Sequence, residues 1–158
     1  MVIDNQILSP GQNQRVRSEF KGMNFLVVDD MAAIREVLCL MLVKLGVREL
    51  IEEAGDGLEA IAKLKETQID FIISDINMPR LNGLELHKWL RNSKKFRNIP
   101  FLMITGEVPE ETVAAAIVGE LDGYLLKPFQ LATLEVKILE LIKKKQNHAA
   151  EKISFSKA

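Results

Sequence analysis

The sequence predicts an α/β fold in which helices cover both faces of a parallel β-sheet. Short apolar runs alternate with longer segments of helical periodicity five times between residues 23 and 145. Runs this short and apolar are typical of strands buried on both faces, as in parallel sheets. Units of one strand and one helix favour right-handed crossovers, which make neighbouring strands parallel. The pattern therefore predicts a single domain built on one sheet.

Turn chemistry marks where the strands stop. Pro79 and the pair Asn82-Gly83 follow the third apolar run, and Pro128 follows the fifth. The second run carries charges at both ends, which suits a strand at an edge of the sheet. The predicted strands cover residues 25–28, 48–53, 71–74, 101–104 and 124–126.

The segments between the strands have apolar stripes at helical spacing. Gly46 is placed to stop the first helix, and Asp56 is placed to cap the second. The fourth helix begins near Pro109, a favoured first-turn residue. Three lysines at 143–145 suit the last turn of the fifth helix, where cations favour the negative end of the dipole. The first, third and fifth helices are predicted over residues 31–45, 82–92 and 131–145.

The predicted organisation is one domain between two tails. Residues 1–22 are polar and mixed in charge, so we expect a flexible leader. Residues 23–145 contain the alternating pattern, and residues 146–158 are expected to be a frayed, flexible tail.

Composition narrows the class of function. Hydrophobic residues make up 47% of the 158-residue chain, and 21 basic residues nearly balance 22 acidic ones. That balance favours no general nucleic-acid-binding surface. No apolar run approaches the roughly 20 residues that a membrane span requires. The single Cys39 excludes an internal disulfide. We therefore expect a cytoplasmic protein with no direct nucleic-acid partner and no membrane insertion.

Three carboxylates follow two of the predicted strands. Asp29 and Asp30 close the first strand, and Asp75 closes the third. The carboxyl ends of parallel strands share one edge of the sheet, where α/β folds bind ligands. Carboxylates about 4 Å apart repel by roughly 4 kcal/mol per pair at an effective dielectric near 20. A hard cation makes such a cluster tolerable, and Mg²⁺ suits it because Mg²⁺ takes oxygen ligands and phosphate.

Two further side chains are expected at the same edge. Lys127 closes the fifth strand and can reach a phosphate oxygen with its long stem, and Thr105 closes the fourth and offers a hydroxyl. With these neighbours Asp75 is suited to attack phosphorus in line and to form an aspartyl phosphate. Catalysis would then consist mainly of positioning and charge stabilisation.

Five fragments carry a resemblance to a known family. From about Met23 to Lys145 the chain closely resembles the receiver domains of two-component response regulators, most of all the single-domain, CheY-like chemotaxis type. The resemblance implies a flavodoxin-like (βα)5 three-layer sandwich with a parallel sheet in the order 2-1-3-4-5; this order comes from the resemblance, since CheY is itself a standard example of it. The matching fragments are residues 25–30, 75–79, 82–86, 103–106 and 123–129.

The resemblance implies a role for each acidic residue. Asp75 would be the phosphoacceptor, receiving a phosphoryl group from the phosphohistidine of a sensor histidine kinase. Asp30 and Asp75 would ligate Mg²⁺ together with the main-chain carbonyl of Asn77, and Asp29 would act mainly through water. The protein would be a signalling phosphoacceptor that promotes only its own phosphorylation and dephosphorylation, and not an enzyme in the usual sense.

The resemblance also implies a switch. Lys127 and Thr105 would hold the phosphoryl oxygens, and the bond before Pro128 would be cis. Thr105 and Tyr124 match the family's switch pair, in which hydroxyl and ring move together on phosphorylation. Such a change is a population shift between two packings.

Partners are expected on one surface, which we call the output face: the fourth helix, the fifth strand and the fifth helix. It would include Val108, Tyr124 and Lys137. A downstream protein target is the expected partner, and a phosphorylation-dependent homodimer is an alternative. Val136 and Leu139 lie off the main stripe of the fifth helix, so either a contact face or packing against the fourth helix explains them.

Four alternatives stay open at this point. A haloacid dehalogenase-like phosphatase also forms an aspartyl phosphate, but it needs a second Asp where this chain has Asn77. A dinucleotide-binding domain needs a Gly-rich turn after the first strand, and none is present. A phosphorelay intermediate would pass its phosphoryl group to another histidine. A receiver cut from a larger regulator would serve a DNA-binding or enzymatic output; we expect a free-standing regulator.

Overall fold

The parallel sheet predicted from the sequence is present in the computed structural model, which describes residues 19–107, 110 and 121–156. The strands pair in the order β2-β1-β3-β4-β5, which confirms the flavodoxin-like order 2-1-3-4-5. Every strand pair is parallel. The strands are β1 Phe25–Val28, β2 Ile51–Ala54, β3 Phe71–Asp75, β4 Phe101–Thr105 and β5 Gly123–Leu126.

The prediction of β2 was right about its place but not about its start. β2 lies at the sheet edge, as its charged flanks indicated. It begins at Ile51, however, because Arg48 turns back and donates hydrogen bonds to the carbonyls of Val43 and Val47. The residues from 48 to 50 therefore belong to the connection between the preceding helix and β2.

Helices α1 to α3 follow the predicted pattern. Gly46 ends α1 with φ 106°, a left-handed conformation that glycine adopts without a Cβ penalty. Asp56 caps α2, and Asn82 forms a capping box with Glu85 at the start of α3. Their bounds are α1 Ala32–Leu45, α2 Gly57–Glu66 and α3 Gly83–Asn92.

The buried faces of α1 and α2 include fewer apolar residues than helical spacing alone predicts. Val37 and Leu58 lie at helical spacing with the other apolar residues of these helices, but each is 48% exposed. The buried side of α1 consists of Leu38, Leu42 and Leu45.

The helix after β5, labelled α4, runs from Leu131 to Ser156. It corresponds to the predicted fifth helix, because the predicted fourth helix from Pro109 lies outside the described residues except for Glu110. Its predicted end at Lys145 is wrong, and residues 146–156 are helical rather than frayed. Lysine, glutamate and alanine are good helix formers, so the three lysines suit a helix interior as well as a helix end.

The packed domain begins before the predicted end of the leader at residue 22. Phe20 is fully buried and packs edge-to-face on Phe25 at a centroid distance of 6.1 Å. The packed domain therefore includes residues before Met23. Residues 1–18 of the predicted leader and residues 157–158 of the predicted tail lie outside the described part of the chain.

In the described residues the apolar side chains form two clusters, one on each face of the sheet. One joins β1, β3 and β4 to α1 and α4, and the other joins the opposite face to α2 and α3. The three-layer sandwich is thereby confirmed. No helix in the described segments is long and apolar enough to span a membrane. The sandwich holds the carboxyl ends of β1, β3, β4 and β5 at one rigid edge.

Candidate functional site

Three aspartates meet at the carboxyl edge of the sheet. Asp29 and Asp30 directly follow β1, and Asp75 is the last residue of the neighbouring strand β3. Each offers a carboxylate oxygen, and these oxygens lie within 4.8 Å of one another. Asp29 is 1% exposed and the Asp75 side chain 12%, whereas Asp30 is exposed. The neighbouring strands β1 and β3 thus bring their carboxylates together at one edge of the sheet.

A single lysine partly balances this charge. Lys127 follows β5, and its Nζ lies 3.0 Å from Asp29 Oδ2 and 3.7 Å from Asp75 Oδ1. Its main-chain amide donates to the carbonyl of Thr105 at 2.8 Å, which joins the ends of β5 and β4. The bond between Lys127 and Pro128 is cis, as predicted. Three carboxylates facing one ammonium leave the pocket with excess negative charge.

The crowding at this edge changes the pKa of Asp75. Burial raises the pKa of Asp75, and the nearby Asp29 and Asp30 raise it further. Lys127 and the hydrogen bond from the Ile76 amide, 2.9 Å long, act in the opposite direction without cancelling the effect. An oxygen-only set of this kind fits a hard divalent cation such as Mg²⁺, because the cation would favour the charged form of all three carboxylates.

Thr105 is fully buried at the end of β4. Its hydroxyl donates to the main-chain carbonyl of Glu107 at 2.5 Å, and the Glu107 amide donates to the Thr105 hydroxyl oxygen at 3.3 Å. The hydroxyl is therefore bonded within its own loop. To donate to a phosphoryl oxygen it would have to give up the Glu107 carbonyl.

Other predicted residues lie around the acidic pocket. Asn77 is exposed in the loop between β3 and α3, two residues after Asp75. Tyr124 lies on the edge strand β5, opposite Met103 in the strand register, with 41% of its surface exposed. Lys137 lies on α4, while Val108 falls outside the described residues.

Gly83 was predicted only as part of a turn, but it fixes the loop that follows Asp75. A Cβ at this position would overlap the main-chain carbonyl of Asp75. The Gly83 amide also donates to the carbonyl of Ile76 at 2.8 Å. The start of α3 thus packs directly on the backbone of the candidate acceptor, which only glycine allows. The sequence signal was the Asn82-Gly83 pair, which predicts a turn but not the contact between Gly83 and the Asp75 carbonyl.

An ion pair anchors the same loop and was not predicted. Arg80 has a positive φ of 64°, and its Nε donates to Asp56 Oδ2 at 2.6 Å while its Nη2 contacts the same oxygen. Asp56 also accepts from the Glu59 amide as the cap of α2. The Gly57 amide donates to the carbonyl of Leu81 at 3.0 Å. These bonds tie the loop after Asp75 to α2.

Comparison with known proteins gives a consistent family. The family model described as "Response regulator receiver domain" matches residues 25–139. Chemotaxis protein CheY-3 of Vibrio cholerae serotype O1 is 38% identical over 118 residues, which are 75% of this chain and 90% of that protein. Chemotaxis protein CheY of Pseudomonas aeruginosa is 31% identical over 122 residues, 77% of this chain and 98% of that protein.

Solved structures have the same fold. Chemotaxis protein CheY4 of Vibrio cholerae is 34% identical, with a TM-score of 0.67 over 75% of this chain and 98% of that one. The signal receiver domain of a signal transduction histidine kinase from Syntrophus aciditrophicus is 28% identical, with a TM-score of 0.69 over 77% of this chain and 91% of that one.

These matches decide against the haloacid dehalogenase-like and dinucleotide-binding alternatives. Receiver domains are the signalling phosphoacceptors of two-component systems rather than conventional enzymes. They generally bind Mg²⁺ at an acidic pocket, and they interact with a histidine kinase and with downstream targets. With its parallel sheet in the order 2-1-3-4-5 and its CheY-like relatives, this chain belongs to the family of response regulator receiver domains.

Proposed function

We propose that this protein is a two-component response regulator that accepts a phosphoryl group on Asp75 in a Mg²⁺-dependent reaction. The observation that carries the proposal is the meeting of Asp29, Asp30 and Asp75 within 4.8 Å, with Lys127 against them. The donor is the phosphohistidine of a sensor histidine kinase. A cytoplasmic location stays a prediction from the sequence.

The proposed chemistry is an in-line displacement at phosphorus. A carboxylate oxygen of Asp75 forms the new P–O bond, and the P–N bond to the kinase histidine breaks, leaving its electron pair on the imidazole nitrogen. Bound Mg²⁺ would neutralise charge on the phosphoryl oxygens. Asp30, Asp75 and the carbonyl of Asn77 would hold the ion directly, and Asp29 would hold it through water.

The neighbours of Asp75 suit the product. Lys127 Nζ lies 3.7 Å from Asp75 Oδ1, so a small movement would bring the ammonium onto a phosphoryl oxygen. Thr105 would exchange its bond to the Glu107 carbonyl for another phosphoryl oxygen. That exchange would couple the pocket to Tyr124, which is 41% exposed on the edge strand β5 and pairs with Met103 of β4 in the strand register.

The proposed readout is the output face predicted from the sequence. β5, the loop after it and α4 border a groove of about 600 Å³, and Tyr124 and Lys137 are among its lining residues. Val136 is 53% exposed, whereas Leu139 packs against the core. Partner binding here, to a downstream protein or to a second copy, would depend on phosphorylation. Relatives named as chemotaxis proteins favour a chemotaxis-like role over a phosphorelay intermediate or a receiver within a larger regulator.

Intact mass after incubation with acetyl phosphate tests the proposal. The samples are wild type with Mg²⁺, wild type with EDTA, and Asp75→Asn with Mg²⁺. We expect a gain of one phosphoryl group only in the first sample. Asp70→Asn is a matched control, because Asp70 lies at the amino end of the same strand, where it accepts from the Asn24 amide. Uptake by Asp75→Asn equal to that of wild type would contradict the proposal.

A further inference from the structure

The amino edge of the sheet, opposite the acidic pocket, is built around Asp122. This residue precedes β5, and its Oδ2 accepts from Arg91 Nη2 at 2.5 Å and from the Phe101 amide at 3.0 Å. Arg91 Nη1 in turn donates to the carbonyls of Arg97 and Ile99 at 3.0 and 3.1 Å. These bonds fasten the end of α3, the loop after it and the start of β5 into one rigid wall.

The extension of α4 past Lys145 faces this wall and encloses a groove of about 450 Å³. Its floor is apolar, with contributions from Pro100, Leu121 and Leu141. Its acidic lining residue in the described chain, Asp122, is already paired with Arg91. The remaining charged lining residues, which we call the groove cations, are Arg97, Lys144, Lys145 and Lys152, and His148 lies among them.

The groove cations have almost no acidic partners. In the described part of the chain no carboxylate lies within 4.0 Å of the four groove cations, and the neighbouring His148 lies 3.9 Å from Glu151. The whole chain has a net charge of −1, so this concentration of positive charge is local. A local cationic surplus beside an apolar floor is a mark of a binding surface for an anionic partner.

The spacing of the groove cations indicates the shape of the partner. Lys144, His148 and Lys152 recur every four residues along one side of α4. At 1.5 Å per residue they span about 12 Å. That length equals about four residues of an extended peptide at 3.3 Å each, and it exceeds a single phosphate. An array of this length above an apolar floor suits a chain with both carboxylate and apolar side chains.

We propose that this groove binds an acidic segment of a partner protein, with glutamate or aspartate against the groove cations and an apolar side chain on the floor. The chain's own first 18 residues do not suit it, since they contain one acidic residue, Asp4, against Arg15 and Arg17. The groove lies at the opposite edge from Asp75. An occupant leaves the acidic pocket open, so it would not block phosphorylation of Asp75.

The probe is a fluorescein-labelled peptide of the repeat Glu-Glu-Leu, titrated with the full-length, unphosphorylated protein and followed by anisotropy. Lys144→Glu/Lys152→Glu is the test variant. Lys88→Glu/Lys143→Glu is the matched control, because it changes net charge equally at exposed lysines that do not line the groove. We expect the test variant to weaken affinity about tenfold or more, and the control by less than about twofold.

Two readouts keep the result specific. Circular dichroism and acetyl phosphate labelling of both variants should match wild type, which separates a lost groove from a lost fold or a lost phosphoacceptor. A labelled single-stranded oligonucleotide of equal charge distinguishes an acidic peptide from nucleic acid. Equal weakening by the two variants, no peptide binding by wild type at millimolar concentration, or tighter binding of the oligonucleotide would each overturn the proposal.

Discussion

The two edges of the sheet treat aspartate in opposite ways. At the carboxyl edge Asp75 is buried beside Asp29 and Asp30, and its pKa is raised. At the amino edge burial alone would raise the pKa of Asp122, but His87, Arg91 and the Phe101 amide outweigh it and leave that pKa lowered. His87 Nε2 lies 3.7 Å from Asp122, which is beyond hydrogen-bond distance. The direct partners of Asp122 are therefore Arg91 and the Phe101 amide.

The opposite pKa shifts of Asp75 and Asp122 distinguish an edge suited to function from an edge that stabilises the fold. The carboxylates at the carboxyl edge, which Lys127 compensates only in part, cost folding free energy, and their arrangement suits a site for a cation and a phosphoryl group. A carboxylate with direct partners at the other edge stabilises the fold. Four substitutions, ordered by expected effect, can break or sharpen this comparison.

Gly83→Ala should have the largest effect, because the start of α3 packs closely on the backbone at the carboxyl edge. The added Cβ would overlap the Asp75 carbonyl and displace the start of α3. We expect a loss of about 3 kcal/mol in the free energy of unfolding, measured with urea, and slower phosphorylation. Gly106→Ala is the control, since a Cβ there meets nothing within 4 Å. Equal stabilities of the two variants would show that the contact is not rigid.

Asp122→Asn should destabilise the fold by about 2 kcal/mol at pH 7, because Arg91 would lose its charged partner. The pKa of Asp122 is lowered in the folded state, so its stabilising contribution is present above the ordinary aspartate pKa and is lost as pH falls through the folded value. The difference from wild type should therefore shrink on acidification. A difference that grows toward low pH would contradict the pairing.

Asp75→Asn should stabilise the fold in the absence of Mg²⁺, by about 1 kcal/mol at pH 7, because it removes a crowded charge. The pKa of Asp75 is raised in the folded state, so its contribution is full below the ordinary aspartate pKa and is lost as pH rises through the folded value. The advantage of the variant should thus appear on raising the pH, and added Mg²⁺ should stabilise only wild type. Destabilisation by this substitution at pH 7 would remove the contrast between the two edges.

Arg80→Ala should have the smallest effect, about 0.5 kcal/mol, because Arg80 is mostly exposed while Asp56 keeps its bond from Glu59. The substitution should slow phosphorylation noticeably while changing the free energy of unfolding little, since the loop after Asp75 would lose an anchor. Rates of acetyl phosphate labelling at several Mg²⁺ concentrations measure it, with Lys94→Ala as an exposed control outside this loop. Unchanged rates would show that the loop needs no such anchor.

Much of the site could be predicted because parallel strands end at one edge. Asp29 and Asp75 lie at the carboxyl ends of the neighbouring strands β1 and β3, and Lys127 follows β5 at the same edge, so the fold brings them together once the strands are recognised. The strand order itself came from family resemblance, since the apolar pattern is the same for other orders.

Other features depend on contacts that no local pattern records. Phe20 lies in a polar segment, and one aromatic residue in such a segment does not indicate burial. The pair of Arg80 and Asp56 joins residues 24 apart in sequence through a left-handed backbone conformation. The lysines at 143–145 fit the end or the middle of a helix equally well, so the extension of α4 and the groove beside it could not be foreseen.

The most direct test of Asp75 as the phosphoacceptor is to locate the phosphoryl group. Borohydride reduces an acyl phosphate to the alcohol, so tandem mass spectrometry of protein labelled with acetyl phosphate and Mg²⁺ should find homoserine at position 75. Asp29 and Asp30, in the same pocket, should remain aspartate. Homoserine at either of those positions, with Asp75 unmodified, would contradict the account.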